Sequence, residues 1–171
     1  MHLSGEEENH IKRILAPYQK NEQTRLLKIF AHHGEVTTYE HCMHVVRACY
    51  WMNKRWHLHA DEKVLVVAAF LHDFYLYDWH DKEIGHRKHM FKHPEIARTN
   101  AAETFQIGPK EQHIIYTHMW PLTFRQLPTT REAWMVSLAD KYCAIVELIK
   151  DRSLRIARRT WAIVHSKNIE Y

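Results

Sequence analysis

Apolar residues along the 171-residue chain recur mostly at helical spacing, and the breaks between them mark about six to eight helices. A first helical region covers roughly residues 6–30, interrupted near Pro17 and ended near Gly34. The stretch "TTYEHCMHVVRACYWMNKRW" begins with Thr37 three residues before Glu40, the spacing of a capping box, and shows an apolar face through Val45, Ala48 and Met52. Asp61 can cap a third helix whose run Val64 to Leu71 is wholly apolar and delivers the chain into His72 and Asp73. Residues 74–92 read as an irregular connection crowded with aromatic and basic side chains. Pro94 sits where a first helical residue would, opening a fourth helix to about Phe105. Gly108 and Pro109 then introduce a fifth helix that ends near His118. "MWPLTFRQLP" is non-helical between its prolines, and Thr129 or Thr130 can cap a long helix. The apolar face of that helix runs through Met135, Leu138, Tyr142, Ile145 and Ile149.

This pattern predicts an all-α fold in one domain spanning residues 1–171, with a core at about 35–150. Helices within 6–33 and a basic C-terminal helix at 151–167 are expected to pack on that core. Composition agrees: 46% of residues are hydrophobic, and only four glycines and five prolines interrupt them. The acidic start "MHLSGEEENH" lacks the order of a secretory signal, and no apolar run approaches the ~18 residues that span a bilayer. A cytoplasmic protein with no membrane partner is expected. Cys42, Cys49 and Cys143 form no CxxC pair and read as buried apolar filler. The net charge of +4 lies in the tail, where six basic residues face two acids, so the main body is balanced.

Charge therefore says little about function, and the histidines say more. Sixteen is a high count, so most must be ordinary, and position decides which are not. His41 lies one turn from Val45 on an apolar face; His72 and Asp73 end the apolar helix; His93 opens the fourth; His118 closes the fifth; Asp140 shares a side with Val136, Ala139 and Cys143. Successive gaps of 31, 20, 25 and 22 residues put the candidates on different helices, which a bundle can bring to one interior point. Taken singly, each could be a hydrogen-bonded core residue, and Asp140 could pair with Lys141 or an arginine. Taken together they suit a divalent cation, because a buried carboxylate without compensation costs several kcal/mol. Mixed imidazole and carboxylate donors favour Fe, Mn, Co, Ni or Zn over Ca or Mg.

His41, His72-Asp73 and Asp140, within "EHCMHVV", "AAFLHDF" and "VSLADKYCA", resemble the H…HD…D signature of the HD-domain superfamily over roughly residues 35–150. The resemblance implies an HD-domain-like helical bundle and metal-dependent phosphohydrolase chemistry, with His72 and Asp73 at the catalytic centre. His93 and His118 match the two further histidines of binuclear members. That implies one metal held by His41, His72, Asp73 and Asp140, and a second by His93 and His118, with Asp73 bridging. His44 is the poorer candidate for the first histidine, since the family's valine four residues on matches Val45 only from His41.

The implied substrate is a small phosphate ester, with a nucleotide or dinucleotide expected, and Lys82, Arg87, Lys88 and Lys92 are available for charge neutralisation. One departure is Leu76, which stands where many of these phosphohydrolases carry a lysine. A di-iron oxygenase of the same superfamily, using the same six ligands, is the alternative. A non-catalytic alternative assigns the basic helix "KDRSLRIARRTWAIVHSK" to nucleic acid or a partner, against the simpler reading of a solvated helix packed on the domain. Phe74, Tyr75, Tyr77 and Trp79 could line a pocket or fill space between helices, with Trp120 and Pro121 as another wall. Asp78, His80, His86 and His89 are open candidates for a proton donor. The oligomeric state stays open.

Overall fold

The computed structural model describes residues 2–81 and 89–166. Seven helices and a two-stranded hairpin follow in the order α1 (Gly5–Gln19), α2 (Glu22–Leu26), β1 (Ala31–His33), β2 (Val36–Thr37), α3 (Thr38–Arg55), α4 (Glu62–Leu71), α5 (His89–Phe105), α6 (Pro109–Thr117) and α7 (Arg131–Ser166). The all-α expectation holds, and no described helix is long and apolar enough to cross a membrane.

Helix starts follow local chemistry. Ser4 and Glu7 close a capping box on α1, and Thr37 and Glu40 close one on α3, where the Glu40 amide donates to Thr37 Oγ1 at 3.2 Å. Asp61 Oδ1 accepts the Val64 amide at 3.1 Å at the head of α4, and Thr130 Oγ1 accepts the Ala133 amide at 3.2 Å at the head of α7.

α4 is the central element. Every residue from Val64 to Leu71 is buried, as a helix apolar on all sides must be, and α1, α3, α5, α6 and α7 all contact it. Just upstream, the buried Asn53 side chain accepts the Ala60 amide at 2.9 Å and donates to the Ala60 carbonyl at 3.3 Å, fixing the α3–α4 turn. The axis of the bundle thus ends at His72, the C-cap of α4.

Several expectations need correction. α1 runs through Pro17, and the break falls at Lys20–Asn21, where the Asn21 side chain caps α2. A short hairpin, turning at Gly34 (φ 60°), occupies the segment expected only to end a helix. α5 begins at His89 rather than at Pro94, which sits inside it and gives up one backbone hydrogen bond. The largest difference is on α7. Met135 is buried, but Leu138, Tyr142, Ile145 and Ile149 are exposed, and the packed face is Ala133, Val136, Ser137, Asp140, Cys143 and Glu147. Residues 151–166 continue α7 as one 36-residue helix rather than forming a separate one; Arg152 to Ile156 are exposed, while Arg158 donates to Glu35 beside the hairpin turn at 2.7 Å.

The hairpin is held against α7 by close approach. A Cβ added at Gly34 would collide with the Asp151 carboxylate, and the positive φ disfavours any L side chain. We therefore expect Gly34→Ala to destabilise the protein by about 1–2 kcal/mol, seen as a fall of roughly 2–8 °C in Tm by calorimetry. An unchanged Tm would mean that the hairpin does not dock as described.

Candidate metal centre

Five helices deliver polar side chains to one interior point. His41 projects from α3, His72 and Asp73 from the end of α4, His93 from α5, His118 from the C-cap of α6 and Asp140 from α7, and all six are buried. Their side chains lie within a few ångströms of one another. His41 Nε2 is 3.1 Å from Asp140 Oδ1, His72 Nε2 is 3.7 Å from the same oxygen, and His93 Nε2 is 2.9 Å from His118 Nε2.

The orientation of the rings matters more than their proximity. Nδ1 of His72 meets the Ala69 carbonyl at 2.8 Å, Nδ1 of His93 the His89 carbonyl at 3.0 Å, and Nδ1 of His118 the Ile115 carbonyl at 2.7 Å. A carbonyl can only accept, so each Nδ1 carries a proton and each Nε2 faces the cavity, where a neutral ring presents a lone pair. His41 obeys the same rule with a carboxylate, its Nδ1 lying 2.9 Å from Glu147 Oε2. This is the arrangement in which histidines hold metals, with the outer nitrogen tied and the inner one free to coordinate.

Two buried atoms at the centre, His72 Nε2 and Asp73 Oδ1, have no hydrogen-bond partner among the described residues. The Nε2 atoms of His93 and His118 face each other at 2.9 Å, while the Nδ1 of each ring is turned outward to a backbone carbonyl. His41, His72 and Asp140 form one group with ligand atoms within 4.8 Å of each other, and His72, Asp73 and His118 form another. The donor set therefore fits a borderline divalent cation.

Electrostatics points the same way. Burial would raise the Asp73 carboxyl, but the His72 ring and the close approach of His32 and His93 outweigh it and hold the group well below the usual range. Asp140 behaves likewise, burial being overcome by His41 and His72. His118 is pushed down to about 3 by burial and by the neighbouring His93 and His72, so it stays a neutral lone-pair donor. Burial opposes charge on His72 too, yet Asp73 draws a proton toward it and the net shift is upward. A proton on His72 and a metal there answer the same need, which is positive charge beside two buried carboxylates.

Two residues at this centre escaped sequence reasoning. His32, on β1, stacks on the His41 ring at 3.8 Å between centroids and places Nε2 3.2 Å from Asp73 Oδ2. Burial would lower its pKa, but the carboxylates of Asp73 and Glu147, the latter 3.8 Å from its Nδ1, raise it to about 9. Glu147 is buried, seven residues beyond Asp140 on the same face of α7, and is held below the usual carboxylate range despite burial by His32, His41 and His44. That two-turn spacing was the available signal for Glu147. No periodic pattern marked His32. His44 Nδ1 meets Glu147 Oε1 at 2.7 Å, outside the cluster.

A cavity of about 530 Å³ opens onto the centre, a volume suited to a small molecule. Asp73, His93, His118, Asp140 and Lys141 form its polar part, and Trp79, Met90, Met119, Pro121 and Leu122 much of its apolar wall. Of the aromatic cluster, Phe74 and Tyr75 are core residues: the Asn100 side chain donates to both their carbonyls at 3.1 Å, and the Tyr75 hydroxyl lies 3.1 Å from Thr38 Oγ1. Trp120 packs edge-on against Trp134 at 4.8 Å, while Pro121 lines the cavity. His89 lines it too; Asp78 and His80 lie outside its lining. Lys92 is exposed, and Lys82, Arg87, Lys88 and His86 lie outside the described residues.

The HD domain family model matches residues 38–145. The match includes His41 through Asp140 and stops short of His32 and Glu147. No curated protein and no solved structure matches the chain significantly.

Replacing His72 and Asp73 together by alanine should abolish binding of transition metals, measured by elemental analysis, while circular dichroism remains helical. Metal retained at wild-type stoichiometry would remove these two residues from the site. Glu147→Ala, which strips the acceptor from His41 Nδ1, should weaken metal binding by roughly 10–100-fold in a competition titration. Unchanged affinity would show that the Glu147 contact does not orient the ring.

Proposed function

The chain belongs to the HD domain family, and from that premise we propose that it is a metal-dependent phosphohydrolase. In this reading His41, His72, Asp73 and Asp140 hold one ion, His93 and His118 hold a second, and Asp73 bridges them. The observation that carries it is the division of the Asp73 carboxylate. Oδ2 faces the first group, 3.5 Å from His72 Nε2, and Oδ1 faces the second, 3.3 Å from His93 Nε2 and 3.6 Å from His118 Nε2. One carboxylate with an oxygen in each group of imidazoles is the arrangement a bridging ligand requires.

Divalent ions there, drawn from Fe, Mn, Co, Ni or Zn, would supply a water acidified toward neutrality and charge neutralisation for phosphoryl oxygens. The chain's own groups account for the rest. Asp73 and Asp140, kept ionised, hold the negative charge that makes the centre selective for cations. Lys141 Nζ is fixed by the His118 carbonyl at 2.8 Å, the Ser137 carbonyl at 3.1 Å and Ser137 Oγ at 3.2 Å. Burial lowers its pKa and Asp140 opposes that shift; its three partners are all acceptors, as an ammonium requires, and it stands half-buried in the cavity wall, where an anionic substrate needs positive charge. The apolar wall of Trp79, Met119, Pro121 and Leu122 excludes water and offers flat surface, which favours a phosphate ester with a base or other planar group, such as a nucleotide.

Leu76 favours a second reading. It sits half-buried at φ 61°, and it brings no ammonium to the place where many phosphohydrolases of this superfamily carry lysine. A di-iron oxygenase with the same ligands would have no use for that lysine.

The test is phosphate release from nucleotides and simple aryl phosphates by the full chain supplied with each of the five metals. Hydrolysis is expected, and Asp73→Asn should reduce kcat by at least about 100-fold. No phosphate release under any metal, with oxygen consumption by the iron-loaded protein, would overturn hydrolysis in favour of the oxygenase.

A further inference from the structure

α7 carries two apolar faces. One packs on the domain through Ala133, Val136, Ala139 and Cys143. The other presents Leu138, Tyr142, Ile145 and Ile149, which are 59, 53, 57 and 60% exposed, with Tyr142 at its edge toward the hairpin and α3. Steps of four, three and four residues separate these positions, and the same alternation continues to Arg152 and Ile156. That is the 3.5-residue period of a seam that winds on another helix, narrower than the stripe a helix needs against its own domain. Among the described residues, none buries Leu138, Tyr142, Ile145 or Ile149.

We propose that this face is a dimer interface, in which α7 pairs antiparallel with α7 of a second copy of the chain about a two-fold axis at the level of residue 147. That register sets Ile149 against Ile145 of the second copy, Leu138 against Ile156, and Tyr142 against Arg152. A parallel pair would instead press Arg152 onto Arg152 in a seam withdrawn from water, where like charges repel. The antiparallel pair lays each guanidinium on a tyrosine ring, a favourable cation–π contact, and makes every other seam layer aliphatic. The one polar position in the seam thus selects both the partner and its direction.

The size fits a reversible dimer. From Leu138 to Ile156 the face is about 28 Å long at 1.5 Å per residue, and half the circumference of a helix is roughly 17 Å. Pairing would bury on the order of 1,000 Å² in total, near the lower bound for a specific interface, which places dissociation around the micromolar range.

Sedimentation equilibrium of the full chain up to about 100 µM, well above that range, tests this. The wild type should be dimeric, and Ile145→Asp with Ile149→Asp should be monomeric with an unchanged helical spectrum, since neither side chain contributes to the core. On oxidation, Tyr142→Cys and Arg152→Cys chains should cross-link when mixed and not when alone. A monomeric wild type, or a dimer surviving both aspartates, would overturn the interface. Tyr142→Cys cross-linking to itself would overturn the antiparallel register.

Discussion

The structure depends on one constraint: carboxylates placed inside an apolar bundle must be met by positive charge. Asp73 and Asp140 are buried at the point where five helices meet, and Glu147 lies just behind them. An uncompensated buried ion costs several kcal/mol, a large share of the stability of a domain this size. Histidines on four of the helices and on the hairpin surround the carboxylates, and on His72, His93 and His118 the Nδ1 proton is dictated from outside by a backbone carbonyl. The cavity is therefore not merely polar. Its inner surface carries lone pairs and negative oxygens, which attract a cation and are poorly satisfied by each other.

The helices serve that arrangement. His72 and His118 both cap helix C-termini, and each Nδ1 meets the carbonyl three residues back, Ala69 or Ile115. A helix end leaves carbonyls without amide partners, so a C-capping histidine that satisfies one of them gains a fixed orientation in return. The apolar run Val64–Leu71 of α4 anchors His72 and Asp73 because it cannot turn without exposing a face. Rigidity of the centre thus comes from packing at one remove from the polar groups.

Much of this was legible in the sequence, for identifiable reasons. The capping residues Thr37, Asp61 and Thr130 declare themselves through short-range spacing, and the His72-Asp73 pair stands out because an apolar run leads into it. The six residues expected to converge are brought together because each sits on an inward helix face or a helix end, which periodicity reveals. The packed face of α7 was misread because the helix has two apolar sides, and the outward one has the larger side chains. Glu147 was hidden by the same error. His32 comes from a hairpin too short for any period to register, Pro17 was given more power to break a helix than the surrounding turns allow, and Pro94 was placed at the start of a helix that begins a turn earlier.

On the proposed reading, the buried carboxylates and lone pairs hold two cations with Asp73 between them. Anomalous diffraction from crystals soaked in a manganese or iron salt, collected at the metal edge, would locate these ions. Two peaks are predicted, one on each oxygen of Asp73, the first also against His41, His72 and Asp140 and the second against His93 and His118. A single peak touching one Asp73 oxygen, or none at the centre, would contradict the account.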